Sequence, residues 1–205
     1  MSITSSAIIQ HIIKLRDAGK AMLAYFYFDF GDEEKQSPRN AVTSLLIQLS
    51  AYSEPCCDII YRFYSAHGKG TELPSYDILI DRLKEMLAIA TQNPIFIIMD
   101  ALDECPIYSG TLTPREAVLN LLKDLDRLHL PNLRICVTSR PEYDILKGLG
   151  PFASHCISLH DQIGHEIDID DYVKSIVSSD THMKRWREDG RKLVIDYLSY
   201  VADGM

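Results

Sequence analysis

Four apolar residues in a row, Phe96-Ile97-Ile98-Met99, lead straight into Asp100, and two more carboxylates, Asp103 and Glu104, follow within four positions. An apolar run this short, closed upstream by Asn93-Pro94, reads as a strand buried on both faces. Strands of that kind lie in parallel sheets whose two faces are covered by helices. Residues 21–30 (with Leu23, Tyr25, Phe26, Tyr27 and Phe28) and 133–137 read the same way, and a last short strand is expected at residues 155–159. Amphipathic segments alternate with these strands. The chain is therefore predicted to be α/β, with a mainly parallel sheet.

The helical segments have recognisable ends. Residues 5–17 place Ile8, Ile9, Ile12, Ile13 and Leu15 at helical spacing before the stop Ala18-Gly19. Ser37-Pro38 and Thr113-Pro114 each put an N-cap residue ahead of a proline at the first helical position, opening helices to about residues 52 and 129. Further helices are predicted from Glu54-Pro55 to about residue 67, where Gly68-Lys69-Gly70 ends it, and over residues 75–90, 166–179 and 184–201. Strand signals stop near residues 161–164, so the expected division is a core at 1–160 followed by a helical segment at 161–205.

Composition excludes several classes of function. A formal charge of −8 opposes binding to nucleic acid, which needs clustered Lys and Arg. The basic cluster Lys184-Arg185-Trp186-Arg187 is interrupted by Glu188 and Asp189 and reads as a solvated helix face. Five cysteines without a C-x-x-C pair form neither a disulfide framework nor a zinc ribbon and fit a reducing cytoplasm. No apolar span is long enough for a transmembrane helix, and residues 1–4 do not open a secretory signal.

The chemistry sits where strands end. Asp100 leaves its strand at the edge where a parallel sheet binds ligands. Magnesium takes hard oxygen ligands and keeps several waters, so one such carboxylate plus nucleotide phosphates is enough to hold it. A small residue at Ala101 leaves room beside the metal, and Asp103 or Glu104 would orient the attacking water. The second strand end, Thr138-Ser139-Arg140-Pro141, places polar groups where a γ-phosphate would be sensed, with Arg140 as the sensing cation. The plainer readings are a strand followed by an acid-rich helix cap, and an arginine at a turn before proline.

Other patterns carry less. His155, Cys156, His160 and His165 scatter over both strand faces, so zinc is not expected. Gly68-Lys69-Gly70 has neither a preceding strand nor a following Ser or Thr. Asp168-x-Asp170-Asp171 lacks the spacing and glycine of a calcium loop.

Taken in order, Tyr25-Phe26-Tyr27-Phe28-Asp29-Phe30, then Ile97-Ile98-Met99-Asp100-Ala101-Leu102-Asp103-Glu104-Cys105, then Val137-Thr138-Ser139-Arg140-Pro141-Glu142, resemble the NACHT-type P-loop NTPases of the STAND group. The similarity is greatest to the nephrocystin-type N-terminal domain of fungal NLR-like proteins. The resemblance implies a P-loop NTPase-like core, a magnesium aspartate at Asp100, an acidic pair at Asp103 and Glu104, and γ-phosphate contacts from Ser139 and the sensor-1 arginine Arg140. It further implies ATP or GTP with magnesium as cofactor, and protein partners or self-association. No stretch reads G-x-x-x-x-G-K-[ST]. Against the family pattern, the phosphate loop and the inner strand before it, which lies between the strands at Leu133 and His155, are expected to be missing. The expected function is an incomplete nucleotide-switch module unable to hydrolyse ATP alone. The alternatives are a non-enzymatic interaction module and a fragment of a larger NLR-like protein.

Overall fold

The computed structural model describes residues 3–67, 73–89, 93–107, 113–158 and 165–202. Contacts divide the chain into two compact units, Met1–Ala153 and Ser154–Met205.

The first unit is a parallel sheet between helices. Its strands are β1 (Met22–Tyr27), β2 (Ile95–Asp100) and β3 (Leu133–Val137), in the order β1-β2-β3. Met22 lies opposite Ile95, Tyr27 opposite Asp100, and Met99 opposite Val137. The helices are α1 (Ile3–Asp17), α2 (Pro38–Ser50), α3 (Glu54–Ala66), α4 (Tyr76–Ala88), α5 (Pro114–Asp126) and α6 (Tyr143–Leu149). Strand alternation builds two cores. Met22, Ala24, Phe26, Ile95, Ile97 and Met99 face the main core with α2, α4 and α5. Leu23 and Ile98 face the other way, onto Ile9 and Ile12 of α1.

Helix starts follow the local chemistry. The side chains of Ser37, Ser53 and Ser75 accept the third-residue N–H of α2, α3 and α4. At α5, Thr113 and Glu116 cap each other reciprocally. The short α6 has no such signal in sequence. It nests against α5 because Gly148 lets its backbone approach Leu119, whose methyl groups lie 3.1 Å from where a Cβ would stand.

The two edges of this sheet differ. On the outer side of β1, the Gln48 amide donates to Tyr25 O (2.8 Å) and accepts from Tyr25 N (3.1 Å). The Tyr52 hydroxyl does the same for Leu23, at 2.8 and 3.0 Å. Two side chains from the α2 segment thus stand in for a neighbouring strand. Beyond β3, the outward N–H groups of Ile135 and Val137 meet no partner among the described residues. The strand expected at residues 155–159 does not form: His155–Ser158 are exposed and irregular, and Leu159 lies outside the described residues. A strand that short holds its shape only through ladder hydrogen bonds, and residues 155–158 make none with the described strands.

The second unit is a helical pair, α7 (His165–Ser179) against α8 (Glu188–Ala202), with Val177 buried. Here α8 starts at Glu188, later than the predicted residue 184. Asp180 Oδ1 accepts both His182 N and Met183 N at 2.8 Å, which winds Met183–Arg185 into a 3-10 turn instead. Lys184, Arg185, Trp186 and Arg187 are exposed, as a solvated basic cluster should be. No helix among the described residues is long and apolar enough to cross a membrane. Gly68-Lys69-Gly70, His160 and residues 161–164 lie outside the described residues, as do the burial and contacts of the His165 and Asp168 side chains.

Candidate functional site

Residues 96, 98 and 100 of β2 share the face covered by α1, as do 134 and 136 of β3 and its successor 138. Asp100 and Thr138 therefore point at the first turn of α1, and Ser5 meets them there. The Ser5 and Thr138 hydroxyls both donate to Asp100 Oδ1, the latter at 2.5 Å, and the two hydroxyl oxygens lie 3.4 Å apart. Ser5 and Asp100 are 0% exposed. The charge is felt nearby: burial first and Asp100 second hold the Cys136 thiol above its ordinary range.

Past Asp100 the chain turns sharply. Ala101 adopts φ 55°, ψ 50°, a left-handed conformation costing roughly 1–2 kcal/mol for a residue with a Cβ. It is held by Ala101 N donating to Thr138 Oγ1 (3.1 Å) and Leu102 N donating to Thr138 O (3.0 Å). A small residue suits this position because of the backbone it must adopt. The turn swings Asp103 and Glu104 away from Asp100 into a cleft of about 340 Å³, lined also by Phe30, Cys105, Arg115, Arg140 and Glu142. Asp103 accepts Arg140 N (3.1 Å) and pairs with its Nε (3.5 Å), while Glu104 accepts Phe30 N (3.2 Å). The Arg140 side chain is 83% exposed, which leaves it free to reorient. Ser139 is exposed, and its hydroxyl donates to Arg140 O (2.7 Å).

Of the residues singled out in the sequence, Asp103, Glu104 and Arg140 thus share one cleft. Asp100 does not line it and sits buried on the α1 side. Three further residues hold the site together. Thr138 follows from register, since Met99 opposite Val137 sets it beside Asp100. Ser5 carried only the weak signal of a hydroxyl in an otherwise apolar helix face. Arg115, inside an ordinary helix-opening pattern, carried none.

Cys105, fully buried beneath the cleft, has its thiol pushed up to about 12 by burial, against the opposing pull of Arg115. An unfolded thiol ionises near 9.0, so this contribution to stability is complete below that pH and is lost as pH rises from 9.0 toward 12. The expected result with a thiol reagent at pH 8 is rapid labelling of the exposed Cys57 and Cys156. Cys105 and Cys56 should label only on unfolding, as read by mass spectrometry of the labelled chain.

The fold is of the parallel α/β class, with carboxylates and an arginine at adjacent strand ends, the edge where such sheets bind ligands. Within that class the chain belongs to the nephrocystin 3 N-terminal family, which matches residues 1–140. No curated protein and no solved structure matches it.

Proposed function

We propose that the chain is a NACHT-type nucleotide-switch module of a larger signalling protein, in the cytoplasm. In this reading Asp103, Glu104 and Arg140 form the end of the site that meets a metal-bound triphosphate, with Ser139 exposed beside Arg140. The observation that carries it is the Asp103–Arg140 pair, which joins an acid after β2 to a cation after β3 across the mouth of one cleft.

A carboxylate-only donor set suits magnesium. Asp103 and Glu104 face the cleft and would contribute oxygens, directly or through water. Asp100 is wholly buried, and its Oδ1 already accepts the hydroxyls of Ser5 and Thr138. When bound, the metal would supply positive charge to offset the phosphates. Arg140 then has two partners available, Asp103 or a phosphate, and its exposure leaves room for the exchange.

Without a G-x-x-x-x-G-K-[ST] segment in the sequence, the cleft's acids face a polyanion with little to offset them. The purified chain is expected to show no ATP turnover and no tight magnesium-dependent ATP or GTP binding by calorimetry. Micromolar, magnesium-dependent binding would overturn the claim that this chain is inactive alone. Restored turnover on adding a phosphate-loop segment upstream would support the switch reading.

The outward N–H groups of Ile135 and Val137, which meet no partner among the described residues, favour a second reading, a non-enzymatic module that pairs with a second copy by strand addition. Antiparallel pairing centred on Ile135 sets Arg134 opposite Cys136 and places no like charges across from each other. A concentration-dependent dimer by light scattering, indifferent to nucleotide, supports this reading; a monodisperse monomer removes it.

A further inference from the structure

The structure assigns to Arg115 a role that nothing in its sequence context announces: it is the positioning residue that makes the acid turn after β2 and the loop after β3 move as one body. Its side chain is 5% exposed although it carries a full charge. Every arm of the guanidinium is engaged. Nε donates to Cys105 O (2.9 Å), and Nη2 donates to Asp103 O. Nη1 donates to Glu142 Oε2 and lies 3.3 Å from Asp144 Oδ2. Two of these acceptors are backbone carbonyls of the turn that carries Asp103 and Glu104. The other two are carboxylates just past Arg140.

A planar fork of five N–H donors satisfies both sides at once, which a lysine's point charge does not. Asp103 closes the circuit from above through Arg140 N and Nε. Glu104 extends it to the loop after β1 through Phe30 N. A displacement of Arg140 from Asp103 therefore reaches the turn of Glu104 through Arg115, by a chain of contacts along the wall of the cleft. The residue is a positioning group: it orients the carbonyls behind the acids and takes no part in any reaction itself.

This assignment deepens the reading of Asp103, Glu104 and Arg140 as one site and rests on it. Its test needs no nucleotide, so a failure of nucleotide binding and a failure of the coupling are read separately. Amide exchange of the full chain, followed residue by residue, reports the two segments through Glu104 N (to Ala101 O, 2.9 Å), Cys105 N (to Leu102 O, 3.1 Å) and Arg140 N. Arg115→Lys keeps the charge and loses the fork. It should speed exchange at all three amides roughly tenfold, while the buried stretches of α2 and α4 change by less than about twofold. The decisive variant is the double change Glu142→Ala with Asp144→Ala, at two part-exposed carboxylates that share no hydrogen bond with Glu104 or Cys105. It should speed exchange at those two amides by about threefold or more. If the double variant leaves them at the parent rate, or if Arg115→Lys raises exchange evenly along the chain, Arg115 is a structural cation only and the coupling does not exist. Should Arg115→Lys fail to fold, the double variant still decides.

Discussion

Replacing Asp100 by Asn is expected to lower the melting temperature by about 5–10 °C. The side chain is wholly buried, and one of its oxygens accepts the hydroxyls of both Ser5 and Thr138. Hydrogen bonds to a charged acceptor contribute about 1.5–3 kcal/mol, and a buried donor left short of an acceptor costs about 1–3 kcal/mol. The neutral Asn oxygen accepts more weakly, and its amide brings two donors into a place built for an acceptor. A loss of about 2–3 kcal/mol corresponds, for a chain of this size, to the shift given above. The result separates two accounts of Asp100. A carboxylate kept only for a metal is commonly a liability to the metal-free fold, and neutralising it leaves stability unchanged or improved. A melting temperature equal to or above the parent's, by calorimetry without metal, would show that Asp100 is no pin between α1, β2 and β3.

Leu45→Ala should cost about 3–5 kcal/mol in a denaturant titration, while Ile47→Ala, two residues along the same helix, stays within about 0.5 kcal/mol. Leu45 is 0% exposed in the core that α2 shares with β1 and α4, and its truncation leaves a cavity the neighbours fill only in part. Ile47 is 60% exposed and has already kept most of its surface in water. The contrast tests whether α2 is seated in the orientation that brings Gln48 and Tyr52 to the edge of β1. Equal costs for the two substitutions would mean that α2 is rotated about its axis, and the closure of that edge would fall with it.

Much of this architecture was legible before any coordinates. The apolar runs at 21–30, 95–99 and 133–137 hold strands, over Met22–Tyr27, Ile95–Asp100 and Leu133–Val137, and the serine- and threonine-capped segments are helices, because the signals involved are local. Periodicity and capping act within a few residues, so they survive in sequence. The strand expected at 155–159 failed for the opposite reason. Its residues have suitable propensity, but a strand exists only through its neighbour, and pairing is not a local property. The same limit applied at the site. Acids after β2 and an arginine after β3 could be found by pattern, whereas Arg115 lies in a helix start like many others.

By itself the sequence determined the α/β class, the strand ends that carry Asp100, Asp103, Glu104 and Arg140, and the family, which rests on residues 1–140. Only the tertiary structure decided which of those groups meet. Strand alternation turned Asp100 toward Ser5 and Thr138 beneath α1, and the left-handed turn at Ala101 sent Asp103 and Glu104 the other way, to Arg140 and the cleft. The physical reason is that a carboxylate's role follows from what it faces. What it faces is set by register and by one backbone angle, neither of which is written in the identity of the residue.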